Sequence, residues 1–113
     1  MSEKSPIYNV GGVLPATLEA FKNRPCALHF NHQGYQPPTP QEVARLLELA
    51  GWSQNKTAQL VGVSWNPSKG SSTVRKWKAP SDKKDARPIN YAAWRLLLLY
   101  SGVVAVGDAL CVE

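Results

Sequence analysis

The sequence predicts an all-α fold of four to five short helices, with irregular or β-structured additions at both ends. Two observations carry this prediction. Apolar residues recur at the 3.6-residue period of a helix in several segments of residues 39–102, and polar caps precede these segments while glycines close most of them. The 113 residues suffice for one domain with a modest core. We therefore expect an N-terminal extension packed on the core (1–38), a helical domain (39–102) and a C-terminal tail (103–113).

The N-terminal extension is rich in proline and glycine, which argues against long regular elements. Only short pieces are expected there. We predict two helical turns over residues 15–22 and a short strand over residues 27–30.

The first long helix has strong signals at both of its ends. Thr39 supplies an N-cap hydroxyl, Pro40 suits the first helical position, and Glu42 completes a capping box. Gly51 stands where a left-handed C-cap is wanted. One apolar stripe lies between these ends, made of Val43, Leu46, Leu47 and Ala50. The helix is therefore predicted over residues 40–50.

Two shorter helices follow. Ser53 caps a predicted helix over residues 54–61, which Gly62 closes. After a turn-rich segment, residues 71–73 begin a third helix that reaches Lys78. Its apolar residues, Val74 and Trp77, are three apart and are expected to face the core. This leaves its basic residues on the outside, namely Arg75, Lys76 and Lys78.

The fourth helix is predicted over residues 91–101, after a charged, proline-bounded loop at 79–88. Asn90 caps this helix and Gly102 ends it. Because residues 96–99 are four consecutive leucines, the helix is expected to be either the central core helix or part of a subunit interface. Residues 103–112 are consistent with a small hairpin.

The net charge of +5 is concentrated in one part of the chain. Residues 69–87 contain seven basic and two acidic side chains, whereas the other residues contain six of each sign. Such a concentration is typical of a surface that meets phosphate groups. Many basic runs are only solvated segments, so the neighbouring helices decide the interpretation.

The predicted helices and their motifs together resemble the Xre, or lambda-repressor-like (Cro/C1-type), helix-turn-helix regulators found on phages and plasmids. The resemblance covers residues 39–102. It is carried by Gly51-Trp52-Ser53-Gln54, Ala58, Gly62-Val63-Ser64, Thr73-Val74 with Trp77, and Tyr91-Ala92-Ala93-Trp94-Arg95-Leu96. It implies a sequence-specific regulator that binds double-stranded DNA. We expect this regulator to be a repressor, and one candidate operator is the promoter of its own gene.

The resemblance also implies which residues contact DNA. The second helix would cross the phosphate backbone, and the third would present side chains to base edges in the major groove. The expected contacts are Gln54, Asn55 and Lys56 in the second helix, and Ser71, Ser72, Thr73, Arg75 and Lys76 around the third. Phosphate contacts are expected from Lys69, Lys78, Lys83 and Lys84, with a merely solvated loop as an equal alternative for the last two.

One departure from the family pattern lies in the turn before the third helix. Residues 65–70 form an insertion, which leaves the start of the recognition helix and its register open and can add a finger of Trp65, Asn66 and Lys69 against the DNA backbone. Packing is expected for all four tryptophans rather than base stacking. Arg95, between Trp94 and Leu96, is expected to make an ion pair or to clamp the backbone.

Other functional classes find little support in the sequence. The cluster with metal-like chemistry, Cys26, His29 and His32 with Cys111 as a conceivable fourth ligand, lacks the two close pairs of a zinc site. No paired carboxylates or nucleophile signature suggest an enzyme, and no cofactor is expected. Without a signal sequence or a membrane-spanning run, the chain is expected in the cytoplasm of a bacterial host cell.

A single small domain offers few base contacts, so we expect a homodimer on two half-sites. The helix with residues 96–99 and the tail at 103–112 are the candidate interfaces. Two alternatives remain open: a phage-encoded inhibitor of a host system that binds protein with the same fold, and a DNA-packaging or replication accessory protein that acts in a larger assembly.

Overall fold

The computed structural model describes residues 14–80, 84 and 86–105. Within these residues the chain forms five α-helices and one 3₁₀ turn, with an isolated bridge between Asn66 and Gly70 as the only β pairing. The elements are α1 (Leu18–Phe21), the 3₁₀ turn (Pro25–Ala27), α2 (Pro40–Ala50), α3 (Gln54–Val61), α4 (Ser72–Lys78) and α5 (Tyr91–Ser101). The predicted all-α helix-turn-helix class is confirmed.

The four longer helices begin and end where their capping residues stand. In α2 the Thr39 hydroxyl accepts a hydrogen bond from the Glu42 N–H at 3.1 Å, and Glu42 Oε1 accepts one from the Thr39 N–H at 2.9 Å. This reciprocal pair satisfies two N–H groups that have no partner inside the helix. At its other end Gly51 adopts a φ of 76°, a left-handed conformation that favours glycine. The predicted bounds of α2 are confirmed.

The N-terminal extension differs from its prediction. Only one helical turn, α1, forms within residues 15–22, because Thr17 is already the extended N-cap residue. The strand predicted over residues 27–30 is wrong. The N–H groups of Ala27 and Leu28 donate to carbonyls three residues back, at 3.0 and 3.2 Å, so this backbone is satisfied by local turns and offers no strand edge.

The core is built around α5. Trp94 is fully buried beside Phe21, with the two ring centroids 6.4 Å apart and tilted by 60°. The Trp94 indole Nε1 donates to the Cys26 carbonyl at 2.9 Å, which satisfies a polar atom that would otherwise be buried without a partner. The N-terminal extension therefore contributes side chains to the same core as the helices.

Arg95 joins α5 to the N-terminal extension. Its Nη1 donates to the Ala27 and Leu28 carbonyls at 3.0 and 3.1 Å. The prediction of a backbone clamp is confirmed, and these bonds occupy carbonyls that a strand would have used.

The same packing decides the role of the leucine run in α5. Leu97 and Leu98 are fully buried, whereas Leu96 and Leu99 are half-buried. The prediction of a core helix is therefore confirmed for the side that carries Leu97 and Leu98, and the predicted interface role is left to the other side. Beyond α5, the N–H groups of residues 103 and 104 both donate to the Leu98 carbonyl, and the rest of the hairpin predicted at 103–112 lies outside the described residues.

The helix-turn-helix unit, which consists of α3, α4 and the turn between them, lies at one side of this core. α3 contacts both α4 and α5, and α2 contacts α4 and α1. Because α4 is held between α2 and α3, the orientation of its outer face is fixed by the packing of the whole domain.

Candidate nucleic-acid interface

α4 presents a polar face to solvent because its apolar residues are anchored in the core. Val74 is completely buried and Trp77 is 5% exposed, as predicted. At about 100° per residue, Ser72, Arg75 and Lys76 fall on the opposite side of the helix. Ser72 and Arg75 are exposed and Lys76 is half-buried. The helix thus holds a hydroxyl and two cations on one outward face.

Ser71 does not belong to that face. Its side chain is 0% exposed. The hydroxyl donates to the Ser64 carbonyl at 2.8 Å and accepts from the Val74 N–H at 3.2 Å. The predicted DNA contact is wrong for Ser71, because a hydroxyl capping α4 from inside cannot also reach a base edge. Thr73, on the flank of the helix, is half-buried.

The first residues of α3 support the turn before α4. Gln54 Oε1 accepts from the Ser71 N–H at 3.0 Å, and Asn55 Nδ2 donates to the Asn66 carbonyl at 3.1 Å. Both side chains, predicted to contact DNA, thus have positioning contacts inside the protein. Lys56, one residue further along, is exposed.

The helix-turn-helix unit is electropositive because it lacks acidic residues. None occurs in the sequence between Glu48 and Asp82, a stretch that contains five lysines or arginines. The carboxylates of the described residues, Glu19, Glu42 and Glu48, all lie in α1 and α2, each within 4 Å of a basic group of α1, α2 or the loop between them. Because the described carboxylates pair with basic groups elsewhere, the cations around α3 and α4 remain available to an external anion.

The remaining predicted lysines fall in separate places. Lys69 is exposed and lines a pocket with Arg75. Lys78 lines a different pocket, of about 420 Å³, beside Trp52 and Glu48. Lys84 is exposed, and Lys83 lies outside the described residues. The structure thus brings Lys69, but not Lys78, to the outward face of α4.

Trp65 departs from its predicted role. Its side chain is 44% exposed, whereas Trp52 packs against the core and Trp94 lies within it. The expectation that Trp65 serves packing is wrong, because the turn in which it lies projects from the core. The available signal was its position: it follows the apolar periodicity of α3 and directly precedes the turn residues Asn66 and Pro67.

The histidines of the metal-like cluster make local contacts. His29 Nδ1 accepts from the Asn31 N–H and His32 Nδ1 from the Gly34 N–H, while Cys26 is buried; Cys111 lies outside the described residues. Across the described part of the chain, no three potential ligands come together as a metal site. The longest helices there have 11 residues, and none is suited to crossing a bilayer.

Two known proteins are similar to this chain, although no family model matches it. Both are transcriptional repressor proteins KorC from Escherichia coli. One is 38% identical over 66 residues, which are 58% of this chain and 68% of the relative. The other is 35% identical over 69 residues, which are 61% of this chain and 72% of the relative. With most of each relative aligned at this identity, the chain belongs to the KorC family of transcriptional repressors.

Proposed function

We propose that this repressor acts by binding a specific double-stranded operator through its helix-turn-helix unit, in the manner of lambda-repressor-like regulators. The observation that carries the proposal is the outward face of α4. Ser72, Arg75 and Lys76 stand there on a helix anchored by Val74 and Trp77, in a region without acidic residues. In this proposal the protein acts by occupying DNA and catalyses no reaction.

Within the proposed interface, α4 enters the major groove and α3 lies across the phosphate backbone. Arg75 and Lys76 donate to guanine O6 and N7, and Ser72 bonds to a base or a phosphate. Lys56 and Lys69 contribute affinity through phosphates, which carry no sequence information. Gln54 and Asn55 hold the turn, so their role toward DNA is mainly positional.

We further propose that the repressor is a homodimer. Four apolar residues lie at the solvent-facing side of α5: Ala92, Leu96, Leu99 and Tyr100. Tyr100 is 56% exposed and extends this apolar stripe, and a contiguous exposed apolar surface is typical of a subunit interface. In a two-fold dimer formed along this stripe, the two α4 helices would read two half-sites, which helix-turn-helix dimers typically bind about 34 Å apart. We propose residues 39–102 as the DNA-binding domain, with the N-terminal extension packed on it through its described part, residues 14–38. The proposed location is the bacterial cytoplasm.

The experiment is an electrophoretic mobility-shift titration with duplex from upstream of the repressor's own gene and with scrambled duplex of equal composition. We expect binding confined to the upstream duplex and weakening steeply as salt rises, because phosphate contacts release counterions. Arg75→Ala and Lys76→Ala should each reduce specific affinity by about tenfold or more, at about 1–3 kcal/mol for each bidentate base contact.

Lys22→Ala is the matched control, because Lys22 is an exposed lysine directly after α1 that pairs with Glu19 at 3.2 Å, outside the proposed interface. Its affinity should equal that of the wild type. Binding that ignores sequence, or variants of α4 that bind as tightly as the control, would refute operator recognition by α4.

A further inference from the structure

The insertion between α3 and α4 forms a rigid finger, which we define as residues 65–70. Asn66 and Gly70 exchange two backbone hydrogen bonds, at 2.8 and 2.9 Å. Inside this closed loop, Asn66 Oδ1 accepts from the N–H groups of Ser68 and Lys69 and from the Ser68 hydroxyl, at 2.9 to 3.1 Å. The finger is therefore ordered before any ligand arrives.

The finger is attached to the end of α3 that faces the proposed DNA surface. The Asn66 carbonyl accepts from Asn55 Nδ2 at 3.1 Å. The residue after the finger, Ser71, donates its N–H to Gln54 Oε1 at 3.0 Å. Because Gln54 and Asn55 are the first two residues of α3, the finger lies beside the start of that helix and beside α4 at once.

Between the finger and α4 is an open pocket of about 350 Å³. Trp65, Lys69, Ser72 and Arg75 line it together with parts of the backbone turn. The pocket thus combines one exposed aromatic wall, two cations and a hydroxyl. Among the described residues no carboxylate lines it, so the charge of the pocket favours an anion.

The chemistry of the lining favours a sugar–phosphate unit over a base. Base recognition usually employs a planar amide or guanidinium group with free donors and acceptors. The Asn66 side-chain oxygen is already occupied by three donors of its own loop. Lys69 is a flexible point charge that suits phosphate, and the Trp65 ring offers an apolar surface to a deoxyribose. Arg75 remains available to base edges from the outward face of α4.

We infer that the finger is a third DNA-binding element, in which Trp65 packs on a deoxyribose and Lys69 pairs with the adjoining phosphate outside the base pairs that α4 reads. This inference rests on the proposed operator binding and adds to it a site in the inserted turn. The finger extends the contact along the DNA backbone, and so raises affinity for every sequence without changing which sequence is preferred.

The test compares Trp65→Ala and Lys69→Ala with the wild type and with Lys22→Ala, on operator duplex and on scrambled duplex. Trp65→Ala should weaken both complexes by a similar factor of about ten. A plot of log affinity against log salt has a negative slope, and Lys69→Ala should reduce the magnitude of that slope by about 0.9, the value for one lost phosphate contact. Lys22→Ala should leave the slope unchanged. Arg75→Ala, in contrast, should lose preference for operator over scrambled duplex.

Acrylamide quenching of tryptophan fluorescence provides a readout that does not depend on affinity. Because Trp65 is the most exposed of the four tryptophans, it should supply most of the fluorescence that acrylamide quenches in the free protein. Saturating DNA should protect Trp65 from this quenching. Trp65→Phe should abolish the DNA-dependent change while keeping most of the affinity, and unchanged circular dichroism melting of both Trp65 variants would show that the fold is intact.

The outcomes separate this inference from the proposed function. Wild-type affinity and slope for both finger variants, together with loss of specificity in Arg75→Ala, would overturn the finger and leave operator binding standing. A Trp65→Ala loss that disappears when one operator base pair is changed would also overturn it, in favour of a base contact. A wild-type protein that binds no duplex specifically would overturn the proposed function itself.

Discussion

Gly70 and Gly62 share a backbone conformation but have different surroundings. Their φ angles are +85° and +80°. A Cβ atom on Gly62 would meet nothing within 4 Å, whereas one on Gly70 would lie 2.5 Å from Gln54 Oε1. That oxygen is the end of a flexible side chain, so it can move away, but it then loses the 3.0 Å hydrogen bond from the Ser71 N–H. Alanine substitutions at the two glycines therefore separate two free-energy costs: that of the left-handed backbone, and that of the contact between the new Cβ atom and Gln54.

We expect the two alanine substitutions to differ by the value of this hydrogen bond. A left-handed conformation costs an alanine about 1–2 kcal/mol, and losing a partly buried hydrogen bond costs about 1–2 kcal/mol more. Gly62→Ala should thus lower the free energy of unfolding by about 1–2 kcal/mol, and Gly70→Ala by about 2–4 kcal/mol. In a Gln54→Ala background both the clash and the bond are absent, so Gly70→Ala should cost only about 1–2 kcal/mol there.

The assay is urea unfolding of the four variants and the wild type, followed by far-ultraviolet circular dichroism and tryptophan fluorescence. Coincident transitions with equal m-values would establish that one cooperative unit is being compared. The reasoning is refuted if the two glycine substitutions cost the same, or if Gly70→Ala costs as much without Gln54 as with it.

Three further predictions concern residues that the fold places. Ser71→Ala removes the buried cap of α4 and should lower the unfolding free energy by about 1–2 kcal/mol in urea, while the exposed Ser72→Ala should change it by less than about 0.5 kcal/mol; equal effects would contradict the cap. Trp94→Phe loses the bond to the Cys26 carbonyl and leaves a cavity, so a loss of about 2–4 kcal/mol is expected in the same assay, and a loss near zero would contradict this packing. Burial, and then the nearby Cys26 thiol, raise the pKa of Tyr35 above its ordinary 10.0. Tyr35 therefore ionises at lower pH in the unfolded chain than in the folded chain, so stability present below pH 10.0 should be lost as pH rises past that value. Tyr35→Phe should weaken this dependence of the unfolding free energy on pH, and an unchanged dependence would count against the raised pKa.

Helix bounds were predictable where the signals are local. Thr39, Ser53 and Asn90 cap the helices that follow them through their own side chains, and Gly51 and Gly62 end α2 and α3 in left-handed conformations. Each of these contacts joins residues only a few positions apart. They form in any context that permits a helix, so the sequence alone indicates them.

The backbone of the N-terminal extension was not predictable in the same way. Ala27 and Leu28 were expected in a strand, but their carbonyls bond to Arg95, which is nearly 70 residues away in the chain. No local pattern encodes such a partner. The same holds for the burial of Cys26 against Trp94, since it depends on where α5 passes.

For the candidate interface, the sequence by itself determined the cations, the absence of acidic residues between Glu48 and Asp82, and the helical period that sets Arg75 and Lys76 opposite Val74. Only the tertiary structure decided that Ser71 faces inward and Trp65 outward. Composition and period are properties of neighbouring residues, whereas the direction of a turn depends on distant backbone. Here the bond from Asn55 to Asn66 of the finger and the bond between Gln54 and Ser71, directly after the finger, set that direction.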